Sequence, residues 1–442
     1  MPVKATSSIE RLQVVADAEG LISRAGTALI AGVADRVGLT AGLSSALEGV
    51  RERRSRHDPG RVVRDLALSL ADGGDCLADL RVLRDQEPLF GEVASDATAW
   101  RTLCVLDRRR LEGVREARAA ARRCVWERAG APERVILDLD GTLLTAHSDK
   151  EGAAGTYKGG FGFHPLLCYE ATSEEALAGL LRPGNAGFNT AQDHIELLEQ
   201  SLAQLPEQTR SPGLLVRADR AGATHAFLDH VAGRGFRFSV GLDLTEPVRE
   251  AILALPEQQW QPALAQDGDE REGAWVAELP LTLCGWPAGT RAICRRERPH
   301  PGAQLSFTDA NAYRFQVFLT NQQGKRIARL EQLHRARAAC EDRIRCGKQT
   351  GLRNLPFRSF QANAAWLELV LIAQDLLVWT QRLLLQGSEL ARCEPKRLRY
   401  RLLHVAARLT RHARRLVLHL PRTWPWQREL LQAFERLRAL PA

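Results

Sequence analysis

This 442-residue sequence has few lysines and no closely spaced pair of cysteines. Its nine cysteines are scattered and form no Cys-x-x-Cys pair, which argues against a disulfide framework and a zinc site and favours a reducing, cytoplasmic environment. The start of the chain lacks the apolar run of a secretory signal. The most apolar stretch, 366–379, is short and interrupted by polar residues, so it predicts a buried helix and no membrane span.

Because lysine occurs at only six positions, arginine supplies nearly all of the positive charge. The net charge is +8, from 61 basic and 53 acidic residues, and 45% of the residues are hydrophobic. These fractions exclude a disordered or collagen-like chain. Arginine binds phosphates in a bidentate way, so the surplus favours a polyanionic partner, while a G+C-rich genome gives the same bias without a functional cause.

The sequence changes character near residue 134. Residues 20–130 predict helices, including one over 61–72 and an arginine-rich one over 106–128. This region fits either a solvated helical bundle or a domain that binds DNA ends. Between 134 and 242, short apolar runs alternate with helical patterns, which predicts a mixed α/β domain.

The remaining chain is β-leaning over 243–320, helical over about 325–350 and helical again from 363 to the end. Within the last region, 396–422 contains nine cations and no carboxylate. Leucines keep helical spacing through this stretch. They predict a helix with one apolar face and one positive face suited to a phosphate backbone.

Three acidic residues occupy positions where carboxylates carry chemistry. Asp140 ends the first predicted strand, Asp219 follows a later strand, and Glu341 lies inside the long helix. Taken singly, each has an ordinary explanation as a turn residue, a helix cap or a solvated side chain. Asp138 lies on the same side of its strand as Asp140 and is a second candidate ligand; Asp140 is favoured because it directly precedes a Gly-Thr turn.

The neighbours of Glu341 give it more weight. His334, Arg337, Glu341 and Lys348 are spaced so that they fall within about 60° of one another around a helix. A carboxylate flanked by cations along one ridge suits a metal-bound phosphodiester, since the carboxylate binds Mg²⁺ and the cations hold phosphates.

These residues resemble the DDE transposases of bacterial insertion sequences, in particular the family called transposase DDE domain group 1. The resemblance covers most of the chain. One departure is that the related Tyr-Arg-Glu-Lys signature begins with tyrosine, whereas this chain has His334. The similar stretches are Leu137-Asp-Leu-Asp-Gly-Thr142, Phe163-His-Pro-Leu-Leu167, Leu181-Arg-Pro-Gly-Asn185, Val216-Arg-Ala-Asp219, His334-x-x-Arg337-x-x-x-Glu341-x-x-x-x-x-x-Lys348, Asn363-Ala-Ala-Trp366 and the run that begins at Lys396.

The resemblance implies an α/β, RNase H-like catalytic core with a mixed sheet and a β-rich insertion. It implies Asp140, Asp219 and Glu341 as catalytic residues and as ligands of two Mg²⁺ ions in a two-metal mechanism, with Mn²⁺ able to substitute. The expected reaction is DNA strand cleavage and strand transfer of an insertion sequence.

The resemblance also implies a DNA-binding surface. Double-stranded DNA is the expected partner, as terminal inverted repeats and as target, with a homo-oligomer forming on DNA in the bacterial cytoplasm at the nucleoid. Arg337 and Lys348 are expected to orient the scissile strand, and the basic N- and C-terminal helices to hold the repeats. The predicted DNA-binding residues are His334, Arg337, Lys348, Lys396, Arg397 and Arg399.

The expected domain organisation places the catalytic core between two helical regions. The predicted parts are a helical DNA-binding domain (1–130), the first part of the core (131–242), a β-rich insertion (243–320), a helix that completes the core (321–355) and a basic helical C-terminal region (356–442).

Two other functions fit parts of the sequence. Asp138-Leu-Asp140-Gly-Thr142 matches the first motif of haloacid-dehalogenase-like phosphatases, in which Asp138 would be the nucleophile. That alternative lacks a later acidic pair at the end of an apolar strand. A DNA-binding protein without catalytic activity is the third possibility, and only an activity assay separates it from a transposase.

Overall fold

A nine-stranded mixed β-sheet forms the centre of the protein, and helices from both ends of the chain pack around it. Two three-stranded sheets accompany it. This architecture confirms the mixed α/β class predicted from the sequence. The computed structural model describes residues 12–50, 56–187, 189–299, 313–324, 326–413 and 415–441.

The part of the chain before the sheet is helical, as predicted, apart from one two-residue strand. Local side chains set the helix ends: Asp58 accepts a hydrogen bond from the backbone N–H of Arg61 (2.7 Å) at the start of α3, and Gly73 closes this helix with a φ of 110°. The elements are β1 (Leu21–Ile22), α1 (Thr27–Arg36), α2 (Leu39–Ala46), α3 (Pro59–Asp72), α4 (Arg81–Arg84), α5 (Glu87–Phe90), α6 (Asp96–Cys104) and α7 (Arg108–Ala129).

The next part of the chain supplies the middle of the sheet and two covering helices. Its elements are β2 (Ile136–Gly141), β3 (Leu144–Thr145), β4 (Ala154–Gly155), β5 (Phe161–Phe163), β6 (Leu166–Glu170), β7 (Ala176–Leu180), α8 (Ala191–Ala203), β8 (Leu215–Ala218), α9 (His225–Gly233) and β9 (Arg237–Leu242).

Five of these strands lie in the spatial order β7-β6-β2-β8-β9. Strand β6 is antiparallel to both of its neighbours, whereas β2, β8 and β9 run parallel to one another. If these five strands are numbered by their order in the chain, their spatial order in the sheet is 3-2-1-4-5. Helix α8 connects β7 to β8 and helix α9 connects β8 to β9, so these helices form the crossovers into the parallel strands β8 and β9. This is the RNase H-like arrangement expected from the resemblance.

The predicted β-rich insertion extends the same sheet. Strand β13 pairs antiparallel with β9 through Val317 and Leu242, and β12, β11 and β10 continue outward as an antiparallel meander. Apolar residues of these strands and of the following helix form a separate small core. The elements are α10 (Glu246–Leu253), β10 (Gln261–Leu264), β11 (Glu270–Leu279), β12 (Arg291–Glu297) and β13 (Arg314–Thr320).

The last part of the chain begins with the predicted long helix, which a 3₁₀ turn at Ala336–Ala338 divides in two; Lys325, at its predicted start, lies outside the described residues. The elements are α11 (Ile327–Arg335), α12 (Ala339–Gly347), α13 (Phe360–Leu384), α14 (Pro395–Leu398), β14 (Ala407–His412), β15 (Arg415–His419) and α15 (Gln427–Ala439).

The prediction of a helix through 396–422 is wrong over its second half. Strands β14 (Ala407–His412) and β15 (Arg415–His419) pair as an antiparallel hairpin, and β14 also pairs with β1 from the other end of the chain. Leu409 fits both a helical and an alternating pattern, so leucine spacing alone could not separate them. The β-branched residues Thr410 and Val417 favour the strand, and pairing with β1 fixes it.

Helix α13 lies at the centre of the helical layer. By length and composition alone it is apolar enough to cross a membrane, but 89% of its most apolar window is buried against α3, α7 and β7. Trp366 and Trp379 are among its fully buried side chains. It is the buried helix predicted from residues 366–379.

Two arginines of α7 point into the protein. Arg118 and Arg122 are completely buried, and both donate hydrogen bonds to Asp375 of α13. Arg118 also pairs with Glu368, and Arg122 with Glu175 (3.2 Å). For these two residues the interpretation of α7 as a surface that binds DNA ends is wrong, because five charged groups of α7, α13 and the β6–β7 turn form ion pairs with one another inside the core.

One hydrophobic core extends from the N-terminal helices through the sheet to the last helix, and includes Leu29, Leu139, Leu371 and Leu430. Both helical regions therefore share their interior with the sheet. The domain boundaries expected near 130, 242, 320 and 355 stay predictions.

Candidate active site

Two aspartates lie at one edge of the central sheet. Strands β2 and β8 are parallel neighbours, and their register pairs Leu139 with Ala218. The following residues, Asp140 and Asp219, therefore emerge side by side where the two strands end. Asp219 also accepts a hydrogen bond from the backbone N–H of Ala221 (3.0 Å), which holds its carboxylate at the start of a short 3₁₀ turn.

The two carboxylates interact electrostatically. Burial, together with repulsion from Asp219, raises the pKa of Asp140 to about 6 against the opposing attraction of Arg337. The negative charges of two neighbouring carboxylates repel each other, and a cation bound between them reduces this repulsion. This edge of the sheet is thus built for a positively charged ligand.

The segment leading into α12 crosses the end of β2 and brings two cations to it. Arg337 pairs with the carboxylate of Asp140 (Nη1–Oδ2 3.1 Å). Lys348, at the other end of α12, donates a hydrogen bond to the backbone oxygen of Leu143 (3.3 Å), just beyond β2. The structure therefore brings Arg337 to Asp140 and Lys348 to the chain just beyond β2, while their predicted contact with DNA stays a prediction.

Glu341 lies between these two contact points. It is four residues after Arg337 and seven before Lys348, and an unbroken helix would place the three side chains within about 60° of one another. The 3₁₀ turn at Ala336–Ala338 separates Arg337 from α12, so this ideal spacing is interrupted between Arg337 and Glu341. Its side chain is exposed. The carboxylate oxygens of Asp140, Asp219 and Glu341 do not all lie within 4.8 Å of one another.

In the described part of the chain, one group of three acidic or thiol side chains has its ligand atoms within 4.8 Å of one another, and it consists of Asp75, Cys76 and Asp79. Their arrangement is that of a helix cap, because the backbone N–H groups of Asp75 and Cys76 donate to one oxygen of Asp79 (2.8 and 3.1 Å). The donor set that fits a divalent cation is instead the acidic edge of the sheet, where carboxylates repel one another and one of them has a raised pKa.

Asp138 has a structural task that conflicts with the phosphatase alternative. It is 1% exposed, and both of its oxygens accept hydrogen bonds from Arg217 of β8 (2.6 and 2.7 Å). A nucleophile held in this way cannot reach a substrate, and Asp138 is equally unsuited as a metal ligand in place of Asp140. Sequence reasoning missed Arg217; a charged residue inside an otherwise apolar strand was the available signal.

The predicted DNA contact by His334 is not supported by its surroundings. The ring stacks on Phe318 (centroids 4.3 Å apart, planes at 6°) and shares a hydrogen bond with the hydroxyl of Ser239 (2.9 Å). Burial, followed by the charges of Arg337 and Arg217, lowers the pKa of His334 to about 3. A neutral, stacked imidazole fixes α11 on the sheet and offers no charge to a phosphate.

This environment predicts a pH effect on stability. Between pH 6.5 and 3 the unfolded state binds a proton at His334 that the folded state excludes, so stability falls as the pH falls, by up to about 1.4 kcal/mol per pH unit. His334→Phe keeps the aromatic stack and removes the titration. The free energy of unfolding, measured with urea, is expected to fall between pH 6.5 and pH 5 by about 2 kcal/mol less in the variant than in the wild type. If the free energy of unfolding changes equally with pH in the wild type and the variant, the lowered pKa of His334 is contradicted.

The predicted DNA-binding residues of the C-terminal region separate into two groups. Lys396 and Arg397 are exposed. Arg399 is 8% exposed, and it donates to the backbone oxygens of Ala71 (2.9 Å) and Gln349 (2.8 Å). For Arg399 the prediction is wrong, because its guanidinium satisfies carbonyls at the end of α3 and cannot reach DNA.

An RNase H-like sheet, two repelling carboxylates where its adjacent parallel strands end, and a helix with basic side chains across them define a metal-dependent enzyme of phosphoryl transfer. The chain belongs to the transposase DDE domain group 1 family, whose model matches residues 5–442. It is therefore a DNA transposase, an enzyme class that cleaves and joins DNA strands with the help of divalent metal ions.

A solved structure to which the chain is similar is the cryo-EM structure of the piggyBac transposase synaptic complex with hairpin DNA. The sequence identity is 8%, the TM-score is 0.46, and the match covers 85% of this chain and 77% of that chain. No curated protein matches the chain.

Proposed function

We propose that this transposase cleaves DNA at the ends of an insertion sequence and joins the freed 3′ ends to target DNA, with Asp140, Asp219 and Glu341 as its catalytic carboxylates. The observation that carries the proposal is the acidic edge of the sheet: Asp140 and Asp219 end adjacent parallel strands, and Arg337 pairs with Asp140 from the segment that leads to Glu341.

The three carboxylates suit Mg²⁺, with Mn²⁺ as a substitute, and we propose that they hold two ions. Carboxylate oxygens are preferred ligands of these hard cations. Bound at this edge, the ions would polarise the scissile phosphate and activate water or a 3′-hydroxyl. Burial is the main cause of the raised pKa of Asp140 and repulsion from Asp219 adds to it, and a cation bound between the two carboxylates would stabilise the charged form of Asp140, which supports the proposal.

The cations around the site have a role of their own. Arg337 now neutralises Asp140, and once Asp140 has another counter-ion the guanidinium is free to hold a phosphate of the scissile strand. Burial and the nearby charges of Arg353 and Lys158 lower the pKa of Lys348. That mutual repulsion among three cations favours binding of the DNA backbone beside the carboxylates.

We propose terminal inverted repeats as the specific DNA partner and a homo-oligomer as the form that acts on DNA. The exposed Lys396 and Arg397 contribute to DNA binding in this proposal. They lie close to the catalytic helix, since Glu394, two residues earlier, forms an ion pair with Arg345 of α12 (3.0 Å).

Removal of divalent ions tests the proposed reaction. A linear duplex that carries both ends of the segment encoding this protein is incubated with the purified chain and Mg²⁺ or Mn²⁺. Nicks at the ends of the segment are expected, and EDTA is expected to abolish them while DNA binding persists. Equal cleavage with and without EDTA contradicts the metal-dependent reaction, and absence of cleavage with both metals contradicts the proposed function.

A further inference from the structure

The hairpin β14–β15 carries a basic face that the proposed catalytic site does not use. Cross-strand pairing places Arg408 opposite His419, Thr410 opposite Val417, and His412 opposite Arg415. Because paired residues of an antiparallel ribbon point to the same side, these six residues form one face, called the outer face below.

The opposite, inner face anchors the hairpin. Leu409 and Leu418 pack against a small apolar cluster that includes Ile22 and Ala25. The backbone N–H of Leu409 also donates to the oxygen of Gly20 (2.7 Å). Gly20 has a φ of 71°, and a Cβ there would lie 2.4 Å from the oxygen of Leu409, so this contact requires glycine. The base of the hairpin is thus firmly held while its outer face stays open.

The outer face has the charge of a surface for a polyanion. Arg408 and Arg415 are exposed, and neither forms an ion pair with a residue that the structure describes. The sequence contains no carboxylate between Glu394 and Glu429. Elsewhere exposed arginines are commonly paired, for example Arg345 with Glu394. The hairpin therefore presents unneutralised positive charge on a rigid support.

The spacing of the charges matches DNA. Arg408 pairs with His419 at one end of the ribbon, and Arg415 pairs with His412 at the other end. These two cross-strand pairs are four residues apart along each strand, which corresponds to about 14 Å. The major groove is about 12 Å wide and admits a two-stranded ribbon. Strand β1 pairs with β14 at Ala407 and Arg408, so β14 and β15 project beyond it as two strands. Between the charged ends lies the uncharged pair Thr410–Val417, whose valine is 40% exposed. The Thr410 hydroxyl shares a hydrogen bond with Nε2 of His419 on the same face (2.9 Å), and the exposed apolar side chain of Val417 suits thymine methyl groups.

We infer that the β14–β15 hairpin enters the major groove of double-stranded DNA, with Arg408 and Arg415 on the phosphates of the two groove walls and Thr410 and Val417 facing the bases. The inference rests on the proposed function and assigns DNA recognition to an element outside the catalytic edge of the sheet.

The test uses the full chain and a fluorescein-labelled duplex of about three helical turns taken from an end of the encoding segment. Arg408→Gln with Arg415→Gln is expected to weaken binding at least about tenfold and to lower the slope of log affinity against log salt by about 2. Wild-type protein is expected to protect guanine N7, which faces the major groove, from methylation, and the double variant to lose this protection.

Arg428→Gln with Arg438→Gln is the matched control, because it removes the same charge from exposed positions on α15. The control is expected to keep wild-type affinity within about twofold, and both variants are checked for an unchanged thermal unfolding midpoint. Equal weakening in both double variants, or weakening without a change in N7 protection, overturns the inference. If the hairpin variant binds like wild type while wild type cleaves, the hairpin inference fails and the proposed function stands; if wild type neither binds nor cleaves, the proposed function fails.

Discussion

Glu341→Gln is expected to slow DNA strand cleavage by about 10³-fold, equivalent to about 4 kcal/mol of activation free energy. The substitution keeps the size of the side chain and removes the negative charge that would help to hold the metal ions. Glu341 lies in the chain between Arg337 and Lys348, both of which contact the end of β2 or the chain just beyond it. The rate of nicking at saturating Mg²⁺ measures the effect.

The adjacent residue supplies the control. Asp342 is also exposed, but it is rotated by about 100° around the helix and pairs with Arg345 (3.2 Å). Asp342→Asn is therefore expected to change the cleavage rate by less than about threefold. Both variants are expected to bind DNA as the wild type does. Equal cleavage by the Glu341 variant and wild type removes Glu341 from the proposed catalytic carboxylates.

Asp140→Asn and Asp219→Asn are expected to give losses similar to that of Glu341→Gln. For these two residues a second measurement is available, since calorimetric titration with Mn²⁺ in the absence of DNA reports on the acidic edge directly. Weakened Mn²⁺ binding together with lost cleavage supports their role as ligands. Lost cleavage with unchanged Mn²⁺ binding contradicts it.

Asp375→Ala is expected to lower the free energy of unfolding by about 3 to 5 kcal/mol. Its carboxylate accepts hydrogen bonds from Arg118 (2.8 Å) and Arg122 and from the backbone N–H of Ala176 (2.9 Å). Without this carboxylate, the buried guanidiniums of Arg118 and Arg122 each lose a counter-ion. The attraction that offsets the free-energy cost of removing these charges from water is then smaller. Urea unfolding at neutral pH measures the loss.

Glu394→Ala is the matched control for this stability prediction. It breaks an ion pair of similar geometry with Arg345 (3.0 Å), but both side chains are more than 40% exposed. The expected loss is less than about 1 kcal/mol, because water already solvates both charges. Equal losses in the two variants contradict the view that burial makes the Asp375 network important.

Local signals made much of this structure predictable. The cap at Asp58, the glycine stop at Gly73 and the strand that ends at Asp140 depend on residues a few positions apart, so the sequence displays them directly. The helical pattern around Glu341 likewise depends on local spacing, and helix α12 forms there.

The failed predictions concern contacts between distant parts of the chain. Arg118 belongs to a helix that looks solvated, and its burial depends on partners more than 200 residues away. Arg399 is buried because the end of α3 offers it carbonyl oxygens. The hairpin of β14 and β15 is fixed by pairing with β1 near the start of the chain, and the sequence around the hairpin does not indicate this distant partner.

The pairing of α7 with α13 also affects how the newly made chain folds. Arg118 and Asp375 are 257 positions apart. At a synthesis rate of about 5 to 20 residues per second, α7 waits on the ribosome for roughly 13 to 50 seconds before its counter-charges are made. During that interval two guanidiniums meant for the interior remain in water, so the nascent N-terminal helices cannot complete their packing. We expect chaperones that bind incompletely folded nascent chains to associate with this protein until α13 has emerged.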